Sequence, residues 1–564
     1  MEKFDLHNNK ANSILRCEMP FKKRIGFIFF IMMSFIIFLT CKIFFLQAFS
    51  HNQYYREAAG QRLLSVKLSN NRGIIYDRNL IPLVETQPVE YAVVYPEYIL
   101  NKAETIELLK KVTGKDTKTK FYGKKPFSVQ IVNDNEKIFQ KLESNNIILI
   151  NDKKRYGENN IARHVIGYVS DIDDHGKTGV ELICDKYLYS TRQKSIGIIS
   201  NAKQNCIGEF EPRYIDEDYF DGEFDVKLTL DYHIQKIVED EMNKSAVKGA
   251  VVVMNTENGD ILAIASKPDF RQDLVRKYVN KSGTELVNRA TKSFNVGSIF
   301  KIITASAAFE GNKAFMSDYF YCSGGKNLGG HFFRCSSAHG YLSLCNAFSV
   351  SCNSAFIELG IKTGKASIIN MAKNFGLGSC TNLEKQGFNE SAGTLPKEEF
   401  TSEKEIANLS IGQGEVLTTP MQIVSMVSII ANDGIKKEIN LIDSVIDSKG
   451  VAIKNLKISG RKRVISVETA WKIKKMMGMV TEKGTGKMAN VSEYGGTAGK
   501  TGTAQTGWKE GDNTKVHAWF AGYFPRENPQ YAAVVFAENG KSGSSFAAPV
   551  FGKIAKEIMR LGER

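Results

Sequence analysis

Nine cysteines are spread over 564 residues without one Cys-x-x-Cys pair or a tight Cys/His framework. That absence argues against a metal site, and no metal ligand or cofactor is expected. No internal repeat is present, so a solenoid or propeller is excluded. The net charge is +14, yet no basic stripe interleaved with aromatics and no zinc-knuckle spacing accompanies it. Nucleic acid is therefore not an expected partner, and the basic balance points to other anionic surfaces or polymers. Wholesale disorder is excluded as well, because 43% of residues are hydrophobic and only 24% charged. The length calls for two or three domains rather than one.

Long apolar runs are also scarce, and the single one stands out. Ile25 to Cys41 is almost unbroken, and after Lys42 the run continues to Leu46. As a helix it spans about 33 Å, enough for the hydrocarbon core of a bilayer. Lys22, Lys23 and Arg24 abut its start, which predicts a cytoplasmic N-terminus and an external remainder. With no small-residue cleavage pattern behind it, the run is expected to be an uncleaved anchor. The expected organisation is a cytoplasmic tail at 1–24, a membrane anchor at 25–48, a mixed domain at 49–222 and a larger domain at 223–564. An acidic stretch, Glu209 to Glu223, marks the boundary loop. Seven cysteines follow the anchor, an odd number outside the membrane. Cys322 and Cys335 flank a glycine-rich stretch, and a bridge or two buried thiols are the two readings for them.

The larger domain begins with a new rhythm. Asp231 is placed to cap a helix whose apolar face is Ile234, Ile237, Val238 and Met242. Gly249–Asn255 and Ile261–Ser266 read as strands around the turn Glu257-Asn258-Gly259-Asp260. His517–Phe524 and Tyr531–Ala537 repeat the pattern, and a helix over about 546–561 closes the chain. Helices enclosed between early and late strands predict an α+β domain with a mainly antiparallel sheet. Arg72–Val84, further upstream, reads as short strands joined by turns.

Three short segments carry chemistry. Within Phe294–Glu310 the chain is apolar nearly all round from Ile299 onward, which predicts a deeply buried helix with Ser298 at its N-terminus and Lys301 one turn on. Three residues apart, these two share a face. A serine needs a base to become nucleophilic, and a lysine serves only if burial or a neighbouring cation lowers its pKa. The same Ser-x-x-Lys spacing recurs elsewhere, as at Ser323/Lys326, so the apolar setting is what distinguishes this pair. Ser351 and Asn353 flank Cys352; such a pair can relay a proton and hold Lys301 and a substrate amide. Lys500, Thr501, Gly502 and Thr503 form an extended segment before the two late strands. At a sheet edge they would offer an ammonium, two hydroxyls and a glycine that lets a peptide approach closely. Lys500 would also supply the charge that depresses Lys301.

In this order, Ser298-Ile-Phe-Lys301, Ser351-Cys-Asn353 and Lys500-Thr-Gly-Thr503 resemble the three motifs of penicillin-binding proteins and serine β-lactamases. The flanks Leu409–Gln422 (LSIGQGEVLTTPMQ) and Gly484-Thr485-Gly486 look like class B penicillin-binding proteins. Arg72–Arg78 (RGIIYDR) and Gly179–Glu181 look like their N-terminal pedestal. Cys352 inside the second motif departs from anything the resemblance explains.

The resemblance implies a peptidoglycan D,D-transpeptidase on a single-pass anchor. Ser298 would attack the penultimate D-alanine carbonyl of a stem peptide and Lys301 would be the base. Ser351 and Asn353 would protonate the leaving amine and orient the chain. Lys500, Thr501 and Thr503 would bind the terminal carboxylate, Gly502 beside them would let the substrate peptide approach, and the backbone N–H groups of Ser298 and Thr503 would hold the oxyanion. β-Lactams would acylate Ser298. A D,D-carboxypeptidase would share these motifs and differ only in its acceptor. The implied partners are stem peptides, β-lactams, a membrane glycan polymerase of the shape, elongation, division and sporulation family, and other divisome, elongasome or sporulation proteins. No glycosyltransferase activity of its own is expected.

Overall fold

The computed structural model describes residues 21–48, 63–70, 72–123, 125–170, 172–190, 193–200, 213–215, 224–279, 283–398, 402–510 and 513–562. Most of the acidic stretch expected as a boundary loop lies outside them.

Helix α1 (Phe21–Ala48) contains the apolar run and extends past both of its ends. Its large apolar side chains from Ile25 to Phe45 are exposed. Such a surface is stable only in an apolar medium, which fits a single-pass membrane anchor.

Residues 63–200 build two small antiparallel sheets. One pairs Gln87–Val94 with Phe127–Gln130 and Ile148–Lys154. Helices Lys102–Thr113 and Glu136–Ser144 cover it through Leu108, Leu109, Val112 and Leu142. The other pairs Leu63–Asn70 with Gln193–Ile199. The strands expected over Arg72–Val84 reduce to Ile75–Tyr76 and a bridge from Tyr76 to Pro82. The rest is a turn that Asp77 organises, its Oδ1 accepting from Asn79 N and Ile81 N at 2.7 Å each.

Two motifs that are 109 residues apart in sequence meet behind this turn. Glu181, fully buried, accepts from Arg72 Nε (2.7 Å), Arg155 Nε (2.7 Å) and Tyr156 Oη (2.7 Å). Burial alone would raise its pKa; the Arg155 and Arg72 guanidiniums outweigh that and hold the carboxyl below its ordinary range. Ile75–Tyr76 then adds in parallel to Asp225–Leu228, and that strand pairs with Ile442–Ile446. One small sheet thus ties together residues from both sides of position 222.

The larger domain is built on helix α2 (Tyr232–Lys244), strands β1 (Gly249–Asn255) and β2 (Ile261–Lys267), and helices α3 (Lys301–Glu310), α4 (Asn353–Thr363), α5 (Pro420–Ala431) and α6 (Val467–Glu482). Strands β3 (Ala498–Glu510), β4 (Asn513–Phe524) and β5 (Tyr531–Ala537) and helix α7 (Ala548–Leu561) complete it. The sheet order is β2-β1-β5-β4-β3, antiparallel throughout. Both faces are buried. Val251, Val253, Phe520 and Val535 pack against α2 and α7 on one side. Val252, Met254, Trp519 and Val534 join the larger core with α3 and α5 on the other. Two covered faces explain why these strands read as continuous apolar runs rather than alternating ones. Asp231 caps α2 as expected, accepting from His233 N (3.0 Å) and Ile234 N (3.2 Å). The closing helix starts at Ala548, two residues later than expected, because Gly543–Ala547 forms a wider π-turn.

Candidate active site

The helix expected from Ile299 onward begins two residues later, and Phe294–Glu310 as a whole is three elements. Phe294–Asn295 pairs with Leu417–Thr418, Gly297–Phe300 is a 3-10 turn, and α3 begins only at Lys301. Gly297 explains the break. Its φ is +61°, and a Cβ there would lie 2.6 Å from Thr503 O. A helix would forbid that approach to the edge strand. Gly297 N donates to Gly412 O (3.0 Å), and Gly412, at φ +70°, would drive a Cβ to 2.1 Å from Gly297 O. Gly412 of the LSIGQGE segment therefore forms the seat on which the Ser298 turn rests.

Ser298 is half-buried at the N-terminal approach to α3, while Lys301 is fully buried one turn on. The lysine's hydrogen bonds all go to the second motif: Nζ donates to Ser351 O (2.7 Å), Ser351 Oγ (3.2 Å) and Asn353 Oδ1 (2.7 Å). The amide of Asn353 is fixed from its other end, Nδ2 donating to Arg334 O (2.8 Å). Ser351 adopts φ +59°, an uncommon conformation for a residue with a Cβ. It aims both its carbonyl and its hydroxyl at one ammonium. Burial pushes the Lys301 pKa down to about 7, although nearby Cys352 and Cys335 pull the other way.

The third motif lies on β3, at the sheet edge. Lys500 is buried, with Nζ 5.5 Å from the Phe348 ring centroid and 3.2 Å from Thr501 O. Burial first, then the Lys301 charge, holds its pKa well below the ordinary lysine range. Burial is the first cause of the displacement at both lysines, and the repulsion between the two ammonium groups adds to it. Thr501 Oγ1 shares a hydrogen bond with Thr485 Oγ1 (2.6 Å), and Thr485 N donates to Ser349 O (3.1 Å). Thr485, read from the sequence only as part of a flank, thereby links the second and third motifs. A Cβ on Gly502 would lie 2.9 Å from Val296 O and 3.0 Å from Ile299 Cγ1. Thr503 is exposed, and its hydroxyl accepts from Gly543 N (3.2 Å).

All eight residues singled out in the sequence thus fall in one neighbourhood. The cluster combines a hydroxyl, an amine able to be neutral near pH 7, a hydroxyl–amide pair on that amine and a strand edge open to an extended peptide. Such a set is equipped for acyl transfer through a serine ester, the chemistry of active-site-serine acyltransferases. The model of the penicillin binding protein transpeptidase domain matches residues 249–560, and the chain belongs to that family. Stage V sporulation protein D of Bacillus subtilis is 31% identical over 522 residues, covering 86% of this chain and 78% of that protein. Peptidoglycan D,D-transpeptidase FtsI of Buchnera aphidicola is 28% identical over 564 residues, covering 94% of this chain and 93% of the relative. Two solved structures share the fold at 24% identity. A chain from a peptidoglycan synthase complex has a TM-score of 0.72, with 95% of this chain and 98% of that chain covered. Penicillin binding protein 3 of Mycobacterium tuberculosis with ampicillin has a TM-score of 0.63, with 88% and 96% covered. The chain is thus a class B penicillin-binding protein, a serine-type peptidoglycan D,D-transpeptidase.

Proposed function

We propose that Ser298 forms the acyl-enzyme, with Lys301 as its base. The observation that carries this is the buried Lys301 amine, one turn from Ser298 and held by Ser351 and Asn353. In its neutral form Lys301 accepts the Ser298 proton as Oγ adds to the penultimate D-alanine carbonyl. The oxyanion is taken by the backbone N–H groups of Ser298 and Thr503, each worth about 3–4 kcal/mol in acyl transfer. The proton passes through Ser351 to the leaving D-alanine amine, and the C–N bond breaks. An amine from a neighbouring strand then displaces Ser298 from the ester. Lys500, Thr501 and Thr503 hold the terminal carboxylate, and Gly502 leaves the edge open to the peptide backbone. A β-lactam follows the first half of this path and stays on Ser298.

The domain limits 49–222 and 223–564 belong to the same reading. The N-terminus lies in the cytoplasm and the catalytic domain outside, supported by Lys22, Lys23 and Arg24 ahead of α1. The partner is a membrane glycan polymerase of the shape, elongation, division and sporulation family, and the chain itself polymerises nothing. The likeness to a chain from a peptidoglycan synthase complex supports that pairing.

Mass spectrometry of the full chain after penicillin treatment tests the central claim. One adduct is expected, on the peptide carrying Ser298, and Ser298→Ala abolishes it. An adduct elsewhere, or undiminished labelling of the variant, refutes the assignment.

A further inference from the structure

The second motif carries a feature that acyl transfer does not use. All seven cysteines among the described residues are free, and three of them converge with one histidine. Cys322, Cys335, Cys352 and His339 each offer a ligand atom, and the four atoms lie within 4.8 Å of one another. Cys322 ends the strand Tyr319–Cys322, and Cys335 follows the hairpin of Gly325–Leu328 and His331–Arg334. His339 precedes the strand Gly340–Ser343, and Cys352 is the N-cap of α4. Cys352 also lies between Ser351 and Asn353.

We propose that these four residues form a closed, tetrahedral Zn²⁺ site that clamps the 319–343 hairpins to the Ser351–Asn353 turn. Four observations carry this. First, Cys335 Sγ and Cys352 Sγ are 3.9 Å apart. Two thiolates on one tetrahedral zinc, each about 2.3 Å from the metal, stand about 3.8 Å apart, whereas a disulfide needs about 2.05 Å. Second, His339 Nδ1 is buried with no hydrogen-bond partner, an orphan that a metal ligand would satisfy. Third, Cys335 Sγ accepts from Asn353 N (3.2 Å) and Ser354 N (3.4 Å). Backbone N–H groups directed at a sulfur favour its thiolate and orient it as a ligand. Fourth, the hairpins bury little of their own. Tyr319, Tyr321, Phe332 and Tyr341 are exposed, and their inward apolar side chains are few, among them Phe320, Phe333 and Leu342. So small a unit needs a staple beyond its core.

Three thiolates and an imidazole select zinc among abundant divalent ions, and four protein ligands leave no open position, as in structural sites. On binding, the three thiols release their protons to solvent. The metal would fix Cys352, and so hold Ser351 in its positive-φ conformation and Asn353 on Lys301. This proposal runs against the expectation of no metal ligand. The spacing 322, 335, 339, 352 contains no Cys-x-x-Cys and is invisible without the fold.

The test uses the full chain purified in detergent without chelator. Elemental analysis is expected to find one zinc per chain in the wild type and in Ser298→Ala, so the result does not depend on acylation. Cys322→Ser and His339→Ala should each lose most of it. In case these variants fold poorly, wild-type protein stripped by a chelator is titrated with Co²⁺. Thiolate-to-cobalt charge-transfer bands and intense tetrahedral ligand-field bands are expected. Stripping should also slow penicillin acylation by roughly tenfold to a hundredfold, the cost of misplacing a positioned group by about an ångström, with recovery on adding zinc. Zinc-free protein with a Cys335–Cys352 disulfide in its peptide map would overturn the proposal. Zinc content unchanged in both variants, or a weak octahedral cobalt spectrum, would overturn it as well.

Discussion

The pH dependence of penicillin acylation tests the base directly. Desolvation takes Lys301 from 10.5 to about 7. That displacement corresponds to roughly 5 kcal/mol against the ammonium form. At pH 7 about half of the molecules then hold a neutral amine, against about 3 in 10,000 for a lysine at 10.5. The acylation rate constant, followed with a fluorescent penicillin, should fall about tenfold per pH unit below 7 and stop rising above about pH 8. Lys301→Arg keeps the charge and cannot surrender it, so acylation should drop by roughly 10²–10⁴-fold. A rate that climbs with unit slope to pH 10, or one flat down to pH 5, would refute the assignment of Lys301 as a base poised by burial. Stability carries the same signature. The unfolded chain keeps this proton up to about 10.5 and the folded chain releases it near 7, so between those values the unfolded state binds more protons. The contribution of this group to stability therefore rises with pH across that window, and its full cost is present below pH 7.

Glu181→Gln should cost about 3–5 kcal/mol, because it leaves the buried Arg72 and half-buried Arg155 guanidiniums without their shared carboxylate; denaturant unfolding measures it. Gly502→Ala places a Cβ 2.9 Å from Val296 O, and should cost about 1–3 kcal/mol and slow acylation by moving the Ser298 turn off the strand edge; a melting curve and penicillin labelling report both. Thr485→Val removes the 2.6 Å hydrogen bond to Thr501 and should weaken penicillin binding by about 1 kcal/mol without preventing acylation; saturation kinetics of acylation separate the two effects.

Several elements were legible because local chemistry decides them. Asp231 reads as an N-cap since its carboxylate reaches its own helix's amides. Gly249–Asn255 and Tyr531–Ala537 read as strands since each is short, β-branched and bounded by turn residues. The helix expected from Ile299 is present from Lys301, and the turn that precedes it has a non-local cause. The segment's apolar composition suits a buried helix, but Gly297 is held in a left-handed conformation by Gly412, more than a hundred residues away. Likewise, the closeness of the Lys301 and Lys500 charges was expected, whereas the burial of both, the first cause of displacement at each, is set by the fold.

By itself, the sequence determined that an apolar span precedes a sheet-and-helix domain, and which three segments carry the reactive groups. Those facts rest on side-chain identity and on spacings of a few residues. Tertiary structure alone decided that Ser351 turns its carbonyl onto Lys301, that Thr485 joins two motifs, and that three distant cysteines and a histidine converge. The reason is physical: direction, desolvation and ligand geometry are set by contacts between residues far apart along the chain, and no local pattern encodes them.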